Sequence, residues 1–332
     1  MNENVSLLEN AVIKRLLYDA QIELNTTCNW NCIHCYLENH KENGLSNIEV
    51  FEILDQLRNL GVFEVEFTGG EIFLRKDIFQ IIEYARKKGF KVTLLSNISL
   101  LDDYEKVNYL RELGVSKILC TVFSMKDEIH DEISCNKGSL KKVLNAITLI
   151  RKNRIPLEIK TIVMKKNAYD FREVREYCRK NEIDFLATTT VFESRNDNIT
   201  VDNLFVDDEI HKQIIKEIDE CRKTDVNNDD NSYICESTRH HLYIRHNGDV
   251  TPCSNLPLVV GNIHKESISH IWAYSEKLLR IQNYKWKDLK ECTLCKYREI
   301  CVRCGGCSYA ETGDLLECDK SARRVSQARY TK

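Results

Sequence analysis

Three cysteines, Cys28, Cys32 and Cys35, are separated by three and then two residues in the segment CNWNCIHCY. Thiolates at this spacing bind metal. Three of them satisfy three irons of a four-iron, four-sulfide cluster and leave the fourth iron without a protein ligand. An open coordination position is what a catalytic metal centre needs, in contrast to a structural one. The competing reading is a zinc site with His34 as fourth ligand. Zinc usually draws its ligands in tight pairs, and His34 lies inside the loop between two of the thiols.

A second set, Cys235, Cys253, Cys292, Cys295, Cys301, Cys304, Cys307 and Cys318, falls in the last hundred residues. Eight thiolates fit two four-iron clusters, and Cys-x2-Cys pairs leave one or two zinc ribbons as the alternative. Four cysteines remain. Cys120, Cys178 and Cys221 read as small buried hydrophobes. Cys135 lies in the polar run IHDEISCNKGS and is expected as a loop thiol near the active-site face, placed to donate a hydrogen atom.

The elements that must position these groups follow from periodicity. Strand-like runs at 21–26, 63–68, 91–95, 117–123, 157–163 and 185–191 alternate with helical patterns at 47–60, 77–88, 103–113, 139–152 and 170–181. Val50, Ile53, Leu54, Leu57 and Leu60 show the helical spacing. Alternation implies parallel pairing through right-handed crossovers, with chemistry at the carboxyl ends of the strands. Six units are too few for a closed eight-stranded barrel, so a doubly wound sheet or an incomplete barrel is expected. Residues 1–19 form an extension, 20–192 the α/β unit, and 193–232 a linker with polar loops at 193–203 and 225–232 around a helix at 207–222. Residues 233–332 form a cysteine-rich domain with a hairpin at 241–252 and one helix at 267–281. That tail is too poor in regular structure to fold on its own core, and metal clusters would cross-link it.

The chain has 332 residues, 42% of them hydrophobic, and a net charge of −3. This balance gives no electrostatic reason to expect nucleic acid or a membrane as partner. With no apolar leader or spanning stretch, the protein is expected in the cytoplasm, where the clustered ones among its fifteen cysteines read as metal ligands or catalytic groups, not disulfides.

CNWNCIHCY after a first strand resembles the signature of the radical SAM superfamily. Thr68-Gly69-Gly70-Glu71 after the second strand is similar to that family's Gly-Gly-Glu motif, with Ile72 where Pro is common. The resemblance implies a partial (β/α)6 TIM-like barrel. On it, an S-adenosylmethionine (SAM) bound to the open iron is cleaved to a 5′-deoxyadenosyl radical. Gly69, Gly70, Glu71, Ser96 and Asn97 would contact this cofactor, Glu71 through its ammonium. Ser124 would be a further contact, and Tyr36 would lie against the adenine. The tail is similar to the SPASM extension, which carries two auxiliary clusters, making three [4Fe–4S] clusters in all. By that analogy the first uses Cys235, Cys253 and Cys304 or Cys307, or both, and the second Cys292, Cys295, Cys301 and Cys318. The family spacing has three residues before the last clustered cysteine, where this chain offers Cys304 at two and Cys307 at five.

Many SPASM members modify ribosomally made peptides. The resemblance therefore implies hydrogen abstraction from a peptide, with thioether or C–C cross-link formation first. Epimerisation with Cys135 as donor, and Ser/Cys oxidation of the sulfatase-maturing kind, are the alternatives. An external donor such as flavodoxin or ferredoxin would supply electrons. Only some twenty residues precede the first strand, so leader recognition is expected from a separate protein or not at all. The reading from another class is a zinc or iron–sulfur scaffold without catalysis, which the strand-end motifs oppose.

Overall fold

The computed structural model describes residues 6–195, 201–221, 226 and 228–330. Helix α1 (Leu7–Lys14) precedes β1 (Asp19–Glu23), and α2 (Asn47–Asn59) leads to β2 (Glu64–Thr68). Then follow α3 (Ile78–Lys87), β3 (Lys91–Leu95), α4 (Tyr104–Glu112) and β4 (Lys117–Thr121). Two helices, α5 (Asp127–Ser134) and α6 (Ser139–Lys152), precede β5 (Leu157–Ile162), and α7 (Phe171–Lys180) precedes β6 (Asp184–Thr188). Local chemistry sets the ends. Ser46 and Glu49 form a reciprocal capping box that starts α2, and Val50, Ile53, Leu54 and Leu57 bury its inner stripe.

The six strands lie side by side in chain order, all parallel. A sequential order means every crossover advances the same way, which gives a curved partial barrel. The burial alternation of β5 puts Leu157, Ile159 and Thr161 on one face and Glu158, Lys160 and Ile162 on the other. The expected strand at 21–26 ends earlier, at Glu23, because the chain then peels away: the Thr26 and Thr27 amides turn to the Glu42 carbonyl.

After α8 (Asp208–Cys221), strand β7 (His241–Ile244) pairs in parallel with the free side of β1, and β8 (Asp249–Thr251) and β9 (Gly261–Asn262) extend the sheet antiparallel. The helix expected at 267–281 is two, α9 (Ile268–Tyr274) and α10 (Glu276–Asn283). Ser275 is extended between them, donates to the Val260 carbonyl and caps α10. Both helices and the hairpin share the barrel's core through Leu242, Ile244, Ile271, Trp272 and Leu278. The first half of the tail therefore does have an apolar core, borrowed from the barrel. The last stretch rests largely on a small separate cluster, Ile234, Trp286 and Leu289, and on two helices not foreseen, α11 (Gly305–Thr312) and α12 (Lys320–Arg329). The loops expected at 193–203 and 225–232 fall partly outside the described residues, as does the Cys221 side chain. No described helix is long and apolar enough to cross a membrane.

Candidate functional site

The loop that leaves β1 carries Cys28, Cys32 and Cys35, and it is held on both sides. Trp30 N–H points to Cys28 Sγ at 3.4 Å, and the His40 ring nitrogen lies 3.2 Å from Cys35 Sγ. From the far side, Asn31 and Ile33 donate their amides to the carbonyls of Ser134 and Ile133, and Asn136 Nδ2 donates to the Asn29 carbonyl. Burial pushes the Cys28 thiol up to about 11, and Cys32 and Cys35 also rise. Cys35 adds to the rise at both Cys28 and Cys32, and Cys28 and Cys135 add to it at Cys32. Thiols that oppose one another's ionisation fit a cationic iron–sulfur group, which would return them to thiolate. His34 is not among them. Its buried ring sits edge-on to Phe123 at 5.1 Å, is pushed down to about 4 by burial, and leaves Nδ1 without a partner.

The Gly-Gly-Glu segment is zipped to the same loop: Gly70 N–H donates to the Asn25 carbonyl and Glu71 N–H to that of Thr27. A Cβ on Gly69 would lie 2.4 Å from Asn25 Oδ1, and one on Gly70 2.2 Å from the Thr26 carbonyl oxygen. The glycines thus serve the approach of backbone to backbone. Glu71 has partners within the chain. Its carboxylate is fully buried and takes hydrogen bonds from Ser96 Oγ (2.8 Å), Asn97 N–H (2.8 Å) and Phe73 N–H (3.0 Å). With its oxygens so engaged, it holds the end of β3 beside the cysteine loop. Asn97 in turn reaches the loop, donating to Asn29 Oδ1 at 2.9 Å, with its Nδ2 4.0 Å from Cys28 Sγ.

Ser124 and Tyr36 also have partners within the chain. Ser124 is buried and donates to Asp170 Oδ2 at 2.8 Å, which ties β4 to the start of α7. The Tyr36 hydroxyl meets that of Tyr243 at 3.4 Å, and the Arg195 guanidinium lies 5.0 Å from its ring centre. Cys135 is exposed, and the run around it is helix α5, not loop. Ile129 and Ile133 give α5 its inner face, and Cys135 ends it in the left-handed region at φ 50°. Asp131 accepts the Ser139 amide at 2.8 Å and Ser139 Oγ at 2.7 Å, which joins the His-Asp and Gly-Ser pairs into one turn.

Sequence reasoning missed a buried ionic network above β1. Arg195 contacts Glu23 at 2.9 Å and Glu38 at 3.3 Å, His246 bridges Glu23 (2.6 Å) and Glu42 (3.0 Å), and Tyr243 donates to Glu23. Burial alone would raise Glu23, yet the His246 hydrogen bond and the Arg195 charge hold it at about 2. The network ties the end of the cysteine loop to the hairpin that leads to Cys253.

The tail cysteines separate into two electrostatic neighbourhoods. Cys253 faces Cys235 and Cys304, while Cys292 faces Cys301, Cys318 and Cys295. Cys304 and Cys307 both stand in the first corner. A hydrogen bond from Cys307, with the Cys307 and Gly306 amides, lowers Cys304 to about 6, and Cys307 rises in exchange. Each neighbourhood gathers four sulfurs, while no three described His, Cys, Asp or Glu side chains close to the geometry of a single-ion site.

A partial barrel presenting three thiols beside strand-end polar groups, extended by a second cysteine-rich unit, defines an iron–sulfur enzyme. The radical SAM superfamily profile matches residues 22–178, and that of SPASM, an iron-sulfur cluster-binding domain, residues 235–305. The chain belongs to the radical SAM superfamily and carries a SPASM domain; its cofactors are SAM and iron–sulfur clusters. The AdoMet-dependent heme synthase of Methanosarcina barkeri is 25% identical over 327 residues, covering 89% of this chain and 93% of its own. The antilisterial bacteriocin subtilosin biosynthesis protein AlbA of Bacillus subtilis is 27% identical over 313 residues, 87% of this chain and 66% of AlbA. Streptococcus suis SuiB bound to its precursor peptide SuiA superposes with a TM-score of 0.74 at 16% identity, over 97% of this chain and 83% of SuiB, a likeness of fold.

Proposed function

We propose that this radical SAM enzyme modifies a peptide, forming a thioether or C–C cross-link at a residue seated between barrel and tail. The observation that carries the reading is a cavity of about 210 Å³ lined by Tyr36, Phe192 and Arg195 on one side and Ser254, Cys307 and Tyr309 on the other. Sites for drug-sized ligands run to about 300–1,000 Å³, so this volume suits one or two amino-acid side chains. It adjoins the residue after Cys35 and the first tail neighbourhood together. When bound, SAM and the first cluster would supply the radical that abstracts hydrogen from an unactivated C–H bond.

The chain's residues have separate tasks in this reading. Cys28, Cys32 and Cys35 hold the first cluster, and Cys235, Cys253, Cys304 and Cys307 and the set Cys292, Cys295, Cys301 and Cys318 hold two more. Gly69 and Gly70 keep β2 close to the cysteine loop, and Glu71 orients Ser96 and Asn97 toward the cofactor. Arg195 closes the network above β1 and fixes one wall of the cavity. AlbA and SuiB, both described by peptide products or precursors, support a peptide substrate.

The match over 93% of the heme synthase's length favours a second reading, action on an iron tetrapyrrole. Anaerobic turnover with SAM and dithionite separates the two. A short Cys-containing peptide encoded beside the enzyme should emerge lighter by two hydrogen atoms. Consumption of an added iron tetrapyrrole, with every such peptide unchanged, would sink the peptide reading.

A further inference from the structure

Arg303 stands between the two cysteine neighbourhoods of the tail. One of its guanidinium nitrogens is anchored: Nη2 donates to Ser308 Oγ at 2.8 Å and to the carbonyls of Leu315 at 2.6 Å and Glu317 at 2.8 Å. The other two, Nε and Nη1, are buried with no hydrogen-bond partner among the described residues. A guanidinium nitrogen buried without an acceptor is costly, and its planar fork suits two acceptors at once. Cys235 of the first neighbourhood and Cys292 and Cys301 of the second all pack on the Ile234, Trp286 and Leu289 cluster. All three thiols also feel the Arg303 charge. Arg323, by contrast, acts on Cys318 and Cys295, both in the second neighbourhood.

We propose that Arg303 is a shared positioning residue of the two auxiliary cluster sites, its free Nε–H and Nη1–H donating to cluster sulfur on either side. This rests on the reading that both neighbourhoods hold iron–sulfur clusters. Hydrogen bonds and positive charge at cluster sulfur favour the reduced, more negative state, so Arg303 raises the reduction potential of the clusters it touches. The clamp on Nη2 keeps the fork in place and makes the effect a property of the fold.

The test is a potentiometric titration of the full chain, reconstituted anaerobically and followed by EPR. Iron and sulfide per chain come first: a count that leaves either tail neighbourhood empty overturns the two-cluster reading and this assignment with it. With both filled, Arg303→Gln is expected to shift at least one auxiliary midpoint to lower potential. Arg303→Lys, which keeps the charge without the fork, is expected to give a smaller shift. The signal of the first cluster and its response to SAM should not move. Wild-type auxiliary potentials in a variant with wild-type iron overturn the proposal while leaving the two-cluster reading intact. If neither variant loads iron, arginine labelled with nitrogen-15 in an Arg323→Lys chain decides. Pulsed EPR of the reduced auxiliary clusters should carry a nitrogen-15 coupling, and its absence overturns the proposal.

Discussion

Around the three-cysteine loop the polypeptide builds its own frame. Backbone bonds from β2 and α5, the Glu71 carboxylate and the Asn97 amide all close on it, above a large apolar core. Around Cys292, Cys295, Cys301 and Cys318 there is little frame: short turns, and an apolar cluster of three buried residues. Cys295 is exposed in this stretch. The difference teaches that one set of thiols is held in place by the chain itself, while the other has little polypeptide around it to fix its order. Metal-linked folding of the second kind is familiar in small cysteine-rich units.

Iron removal breaks the comparison most sharply. Chelation of the reconstituted chain should open residues 284–318 to protease while 20–190 stay protected. Equal protection of both would erase the distinction. Cys28→Ala, by the same logic, should abolish SAM cleavage with the barrel's thermal transition intact. A smaller but still large effect is expected from Arg195→Met, which strips a buried carboxylate of one cation. The loss should be about 3 kcal/mol in denaturant unfolding. An unchanged midpoint would mean that His246 and Tyr243 suffice for Glu23. Glu71→Gln turns an amide NH2 toward N–H donors, and should cost about 2 kcal/mol and weaken SAM binding in equilibrium titration.

pH gives a gentler probe. His246 lies above its ordinary 6.5, because its bonds to Glu23 and the nearby Glu38 and Glu42 outweigh burial. Its contribution is full below 6.5 and is lost as pH rises through the raised value. Stability should therefore decline on the alkaline side, and His246→Gln should remove that decline; a variant with the wild-type slope would assign it elsewhere. Smallest of all, Cys135→Ala should change stability by less than about 0.5 kcal/mol and leave the cross-linked product intact by mass spectrometry. An epimerised product that disappears in this variant would instead mark Cys135 as a hydrogen donor.

What the sequence made legible was local. The thiol spacing, the glycine pair and the capping residues of α2 lie within a few positions of their partners, and periodicity supplied the six β/α units. The network at Glu23 was hidden because its partners Arg195 and His246 lie 172 and 223 positions away. The hold of Glu71 on the end of β3 was hidden for a related reason. A carboxylate after two glycines suggests a ligand contact, and only the register of β2 against β3 brings it under Ser96 and Asn97. Helix α5 was disguised by its charged residues, with Ile129 and Ile133 too sparse to announce a helix.

The parallel pairing of β7 with β1 has one more consequence. The strand that launches Cys28 and the hairpin that launches Cys253 are next neighbours in one sheet. Adjacent strands sit about 4.8 Å apart and cannot slide without breaking their ladder. β1, β7 and β8 therefore move as one rigid ribbon, with Cys28 beyond one end of it and Cys253 beyond the other. The cavity between Tyr36, Ser254 and Tyr309 is thus shaped by those side chains and not by a hinge between barrel and hairpin. Its width changes with those residues, while the strand spacing stays as the sheet dictates.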